Sequence, residues 1–235
     1  GVGGGAGVGI VAHAEHLRSL STVYAVHAPP FLHHRLLLAL TSHHKGLLLA
    51  LDPERGDEIW RREINARGKW LLPLGKQPTR IEAALAVTDQ GLLMAYSLPD
   101  GDPLGWQYSA PGGVSVQPLP DGSTILLGTG AGQLVRLDWR TGAADLLVEM
   151  EGTVVGLALW QGLLFAACAP GWLYVLEAST GRQQQKLKLP GESAGGLAVS
   201  QDGIVIVGQH DGRWRAYPWH LGDYAWAAEW AEQWQ

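Results

Sequence analysis

Side chains able to do chemistry are bunched in this sequence. Seven of the nine histidines, His13, His16, His27, His33, His34, His43 and His44, lie in its first 44 residues. Imidazoles are common zinc and copper ligands, but such a site needs three or four donors converging within about 2.1 Å of one ion. The pairs His33-His34 and His43-His44 flank the apolar run "RLLLALTS", and nine strand residues at about 3.3 Å each would hold them about 30 Å apart. Strand alternation would also send the two rings of a pair to opposite faces. Solvated turn histidines are therefore expected, with no metal site. A second group is acidic: Asp52, Glu54, Asp57 and Glu58 in "ALDPERGDEIW", residues 50–60. Facing carboxylates are glycosidase chemistry, yet these four surround a turn, where ionised side chains face water.

Two further motifs resolve in the same direction. Gly7-Val8-Gly9-Ile10-Val11-Ala12 satisfies G-x-G-x-x-A, but a dinucleotide site needs a strand before the glycines and a helix starting at them. More glycine precedes the motif and no lysine follows it, so a linker is expected. Cys168, in "LLFAACAP", sits in an apolar strand without a nearby histidine or cation and reads as a buried, inert thiol.

Composition narrows the function classes. A net charge of −5 with 17 basic residues and no basic stripe argues against nucleic acid. No apolar run approaches the ~18–20 residues that cross a bilayer. One cysteine excludes an internal disulfide and cysteine-rich metal sites. It favours a reducing compartment, so a cytoplasmic location is expected. The periplasm stays open because the sequence, starting "GVGGGAGVG", shows no native N-terminus.

A repeat must position these groups. Turn glycines Gly56, Gly101, Gly142, Gly181 and Gly222 are separated by 45, 41, 39 and 41 residues. Ten residues before each stands another glycine: Gly46, Gly91, Gly132, Gly171 and Gly212. Between these marks run short Leu-, Val- and Ala-rich segments bounded by Gly, Asp and Pro, which are strand signals. In the third unit they read "GVSVQPLP", "TILLGTG", "GQLVRLD" and "ADLLVEM". A period near 41 with four strands per unit predicts an all-β fold, a β-propeller of four-stranded antiparallel blades. About five blades are expected, with six or an incomplete ring also open. Residues 1–21 are expected to be a Gly-rich linker or remnant strand. Residues 22–235 hold the propeller, with blades at about 22–64, 69–109, 113–150, 153–189 and 193–230, and a Trp-rich tail.

The tryptophans follow the repeat. Trp60, Trp106 and Trp226 are expected on fourth, outer strands, where an indole can lie across the neighbouring blade. Leu146 and Gln185 occupy that place in units three and four. Trp139 and Trp219 share one position, three residues before the turn glycine.

The pattern A-x-D-x-x-x-G-x-x-x-W, carried by Ala50, Asp52, Gly56 and Trp60, resembles the tryptophan-docking motif of PQQ-type quinoprotein repeats, and more loosely that of WD-repeat blades. The resemblance spans roughly residues 22–230. It implies a propeller. Quinoprotein dehydrogenases of this type have eight blades, and many add adjacent cysteines and a calcium site. With one cysteine and about five blades, this chain is expected to have no cofactor, no metal and no catalytic residue of that kind. Similar repeats occur in cofactor-free propellers, including the scaffold lipoprotein of outer-membrane protein assembly and short propellers accompanying bacterial ATPase and defence systems. Those imply binding.

The expected function is thus a protein-binding or scaffolding module, part of a larger protein or a multi-component bacterial system. Inter-strand loops bring His43, His44, Lys45, Arg67, Lys69 and His210 to one mildly cationic rim, suited to an acidic or polar protein segment. In the tail, Trp230 and Trp234 continue from Trp226 at i+4 and i+8, as packing on the propeller's own flank or as an aromatic patch for a partner or neighbouring domain. One alternative is a propeller hydrolase or lyase with a metal or carboxylates at the channel mouth, for which Asp89, His210 and Asp211 are the obvious residues. Another is an envelope assembly scaffold.

Overall fold

The computed structural model describes Val26 and residues 28–42, 45–77 and 79–218. The Gly-rich start, His13, His16, His27, His43, His44, Trp219, Gly222, Trp226, Trp230 and Trp234 lie outside the described residues.

All nineteen elements among the described residues are β-strands, in five antiparallel sheets. Sheet one holds β1 (Phe31–His33), β2 (Leu36–Leu40), β3 (Leu47–Leu51) and β4 (Glu58–Glu63). Sheet two holds β5 (Gly68–Leu74), β6 (Ala83–Thr88), β7 (Leu92–Ser97) and β8 (Tyr108–Ser109). Sheet three holds β9 (Leu119–Asp121), β10 (Thr124–Gly128), β11 (Gln133–Asp138) and β12 (Ala144–Glu149). Sheet four holds β13 (Val154–Trp160), β14 (Leu163–Cys168), β15 (Trp172–Glu177) and β16 (Gln183–Lys188). Sheet five holds β17 (Ser193–Val199), β18 (Ile204–Gln209) and β19 (Trp214–Pro218).

Within a sheet, burial follows composition. The second strands "AALAVT" (β6) and "LLFAAC" (β14) are apolar on both faces and almost wholly buried. The fourth strands "EIWRRE" (β4) and "QQQKLK" (β16) are mostly exposed or half-buried. Charges on the last strand blunt an edge that would otherwise recruit another chain. The chain divides into two compact units: one runs through Ser109 and includes Trp139–Gly142, and the other holds Ala110–Asp138 and the chain from Ala143 on.

In the first unit, Leu38, Leu40, Leu48 and Ala50 of sheet one form one core with Ala84, Ala86, Met94 and Tyr96 of sheet two. In the second, Leu126 and Leu134 of sheet three meet Leu164, Ala166, Tyr174 and Leu176 of sheet four. The opposite face of sheet four, Phe165, Ala167, Leu173 and Val175, meets Val205, Val207 and Tyr217 of sheet five. Each such seam is apolar and buried, and every leucine sealed in it contributes about 2 kcal/mol.

Three local expectations are corrected. The first strand of unit three, read as "GVSVQPLP", pairs only at Leu119–Asp121, apart from a lone bridge between Val114 and Thr129. Left-handed Gly112 and Gly113 and the missing N–H of Pro118 interrupt the ladder before it. Trp106 precedes β8 and is not on it, because Pro103 and left-handed Gly105 bend the chain there. His33 and His34 do not point to opposite faces; their rings meet edge-on with centroids 4.4 Å apart. The strand ends at His33, and His34 enters the turn with φ 51°, so alternation no longer applies.

Candidate functional site

The acidic hairpin is spent on its own geometry. Asp52 Oδ1 accepts the amides of Glu54 at 2.8 Å and Arg55 at 3.1 Å, closing an Asx-turn. These two amides, Glu54's first, hold its carboxyl below the ordinary range. Gly56, at φ 73°, then donates its amide to the Asp52 carbonyl at 2.7 Å. Glu58 grips Arg61 with both oxygens at 2.6 Å.

Turn glycines and aromatic side chains form a relay of docking contacts. Trp60 lies over Gly101, where an added Cβ would stand 2.7 Å from indole carbons, and its Nε1 donates to the Pro99 carbonyl at 2.8 Å. Arg62 reinforces the contact, donating to the carbonyls of Gly101 at 2.7 Å and Asp100 at 2.9 Å. Trp106 repeats it on Gly142, with Nε1 donating to the Trp139 carbonyl at 2.9 Å. Trp139 is itself buried and lies under Arg140 at 4.4 Å, while Arg140 pairs with Glu82 at 2.5 Å.

In unit three the docking side chain is Leu147, not Leu146. A Cβ on Gly181 would lie 3.0 Å from the Leu147 Cβ, whereas Leu146 is 53% exposed. The cause is a displaced bulge. In sheet one Ala50 pairs with Trp60 and Leu51 with Glu58, and sheet four shifts at the equivalent Val175/Leu176 step. In sheet three the shift falls between Leu134 and Val135, which skips Leu147 and turns it toward Gly181.

The first unit brings Lys45, Arg67 and Lys69 to one end. Asn65 donates its amide to the Lys45 carbonyl at 2.8 Å, Gly68 to Thr41 at 3.0 Å, and Asp89 to Arg67 at 2.8 Å. Lys45 and Arg67 are exposed, and the Lys69 ammonium lies 4.2 Å from the Trp70 ring centre. Burial pulls the Lys69 pKa down, and Asp89 opposes that shift. His210 belongs to the other unit, where its amide donates to the Glu192 carbonyl at 3.1 Å. Asp211 is engaged in its own turn, accepting from the Arg213 amide at 3.0 Å and pairing with Arg215 at 3.2 Å. Among the described residues no three His, Cys, Asp or Glu side chains cluster as a metal site would require.

Several polar residues went unread in the sequence. Thr41, Thr88 and Thr129 are buried, and their hydroxyls accept the amides of Leu47, Leu92 and Gln133 at 2.8–3.0 Å, capping the hairpin to the third strand. The signal was a threonine three residues before Gly91 and Gly132. Cys168 holds the same place before Gly171, and Gln209 before Gly212. Cys168 is buried, and that burial pushes its thiol pKa up. On sheet four Trp172 carries Lys186 at 4.4 Å and Lys188 at 4.7 Å from its ring, and Lys186 also pairs with Glu151.

Sheets of three or four antiparallel strands, a four-strand period and side chains clamped on turn glycines define a β-propeller. Residues 44–146 match the family model described as outer membrane protein assembly factor BamB. No curated protein matches the chain in sequence. Among solved structures, BamB from Moraxella catarrhalis is similar with TM-score 0.61 and 24% identity, over 79% of this chain and 59% of that one. Sqt1 from Saccharomyces cerevisiae gives TM-score 0.61 and 15% identity, over 79% and 56%. The WD40 β-propeller domain of Doa1 gives TM-score 0.58 and 14% identity, over 80% and 62%. The match thus spans less than two thirds of each of these structures. Among the described residues no helix is long and apolar enough to cross a membrane.

Proposed function

We propose that the chain is a protein-interaction propeller module whose first unit receives an acidic, extended segment of a partner at the Lys45–Arg67–Lys69 end. One observation carries this reading: the span that matches the assembly-factor model, 44–146, is also the span that gathers these three cations at one edge. Several acids serve the fold, three of them among those that first suggested catalysis (Asp52, Glu58 and Asp211). Asp52 closes a turn, Glu58 and Glu82 hold arginines, and Asp211 caps its own hairpin. A surface of this kind recognises carboxylates by charge and by hydrogen bonds from lysine and arginine, and its affinity falls with salt.

A fluorescence-anisotropy titration tests it, using one labelled Glu-rich peptide and one neutral peptide of equal length. Saturable, salt-sensitive binding of the acidic peptide alone is expected. Equal binding of both, or of neither, would overturn the reading.

A second reading, an envelope assembly scaffold, is favoured by the family model itself. The compartment separates the two: we infer the cytoplasm from the single cysteine, whereas the scaffold reading places the protein in the envelope. Cell fractionation followed by immunoblotting decides between them.

A further inference from the structure

Sheet five departs from the repeat in one polar stripe. Three residues before the second-strand glycine stand Thr88, Thr129, Cys168 and Gln209 in units two to five. The residues opposite them are Gly68, Val114, Val154 and Ser193 in turn. Unit five thus sets serine against glutamine where units two to four set glycine or valine against threonine or cysteine. Ser193 is completely buried and Gln209 is 3% exposed.

Gln209 is also released from the work that threonine does at this place. Thr88 and Thr129 accept the amide four residues on, from Leu92 and Gln133. In unit five that amide belongs to Arg213, and Asp211 Oδ1 accepts it at 3.0 Å. The Gln209 side chain instead donates from Nε2 to the Gly191 carbonyl at 3.2 Å, which fixes the orientation of its amide. Its Oε1 is left buried without a donor.

Two more buried polar atoms belong to the same face. Ser193 lies opposite Gln209, and its Oγ makes no hydrogen bond. Arg215 lies opposite Val207, two residues from Gln209, and so shares its face by alternation. The guanidinium runs back toward the turn, where Nη2 meets Asp211 Oδ2 at 3.2 Å, while Nη1 is buried with no acceptor. Ser193, Gln209 and Arg215 therefore place three unmet hydrogen-bonding atoms on side chains borne by β17, on or just past the end of β18, and by β19, neighbours in that order. Val205, Val207 and Tyr217 pack this same face against sheet four. A buried amide oxygen and a buried guanidinium N–H left unmet are costly, and native interiors rarely contain them.

The chemistry of the three atoms selects what meets them. Nη1 can only donate, Oε1 can only accept, and the serine hydroxyl can do either. An anion could not satisfy Oε1, and Asp211 already balances the guanidinium charge. A metal cation could not accept from Nη1. The occupant must donate and accept at once and be small enough for a closed seam. Water meets both conditions, and buried waters are typically held by about three such partners.

We propose that one water molecule is bound in the seam between sheets four and five by Ser193 Oγ, Gln209 Oε1 and Arg215 Nη1, as an integral part of the fold. This does not depend on the proposed function or on the Lys45–Arg67–Lys69 end. A crystal structure of the full chain, at a resolution that shows ordered solvent, tests it. One water should lie about 2.7–3.2 Å from all three atoms. Direct bonds among the three side chains, another group of the chain or an ion in that place, or no ordered solvent there would overturn the proposal. In solution, the triple variant Ser193→Val/Gln209→Thr/Arg215→Leu removes every partner and should lose one long-lived water by magnetic relaxation dispersion. An unchanged number of long-lived waters in the folded variant would also overturn it, and the parent crystal structure decides whether or not that variant folds.

Discussion

The indole of Trp60 lies so close over Gly101 that a single methyl group on that glycine would stand 2.7 Å from its ring carbons. Gly101 is also left-handed, at φ 71°, so alanine there meets both the ring and an unfavourable backbone. Gly101→Ala should lower stability by about 3 kcal/mol, combining overpacking with left-handed strain. Gly105 has φ 82° and open space where a Cβ would go, so Gly105→Ala should cost only about 1 kcal/mol. Urea midpoints of the two variants measure the docking contribution as their difference. Equal losses would mean that the indole does not clamp the turn.

Leucine takes over the clamp in the third unit, and the two adjacent leucines make a clean comparison. Leu147→Ala should destabilise by about 2 kcal/mol, while Leu146→Ala should stay within about 0.5 kcal/mol of the parent. Thermal or urea unfolding distinguishes them. A larger effect at Leu146 would return the sheet-three bulge to the register of sheet one.

Cys168 stands where three other units have a capping threonine. Cys168→Thr should be neutral or stabilising, because its hydroxyl can accept the Trp172 amide as Thr88 accepts that of Leu92. Cys168→Val, of equal size but without an acceptor, should cost about 1–2 kcal/mol. The native thiol should resist a disulfide reagent until the protein unfolds, being buried with a raised pKa.

The Glu82–Arg140 pair makes stability depend on pH with a definite sign. The Arg140 hydrogen bond, helped by the Lys76 amide and Arg80, holds the Glu82 carboxyl below its ordinary value. A depressed carboxyl adds stability above its unfolded-state pKa and loses it as pH falls through the folded-state value. The Tm of Glu82→Gln should therefore lie below that of the parent at pH 7, and the gap should close on acidification. A gap that widens in acid would contradict the pairing.

Much of the architecture was legible because glycine is the residue that these turns demand. Gly56, Gly101, Gly142 and Gly181 all take φ between 71° and 74°, so their spacing exposed the period before any strand was placed. Bulges carry no such mark, which is why the docking residue of unit three was read one position early; Trp106 was put on a strand because the bend at Pro103 and left-handed Gly105 went unread. Neither the burial of Trp139 nor the exposure of Trp214 was legible, the latter because its position is a sealed leucine in four other units. The cationic end was half legible. Loop positions gave Lys45, Arg67 and Lys69, whereas the assignment of His210 to the other compact unit depends on tertiary contacts.

Charge reversal tests the central claim most directly. In anisotropy titrations with the labelled Glu-rich peptide, Arg67→Glu/Lys69→Glu should bind about tenfold more weakly than the parent, equivalent to about 1.4 kcal/mol. The same double variant should acquire affinity for a Lys-rich peptide that the parent ignores. Unchanged affinity for the acidic peptide, with both proteins equally folded by circular dichroism, would contradict an acidic partner at this edge.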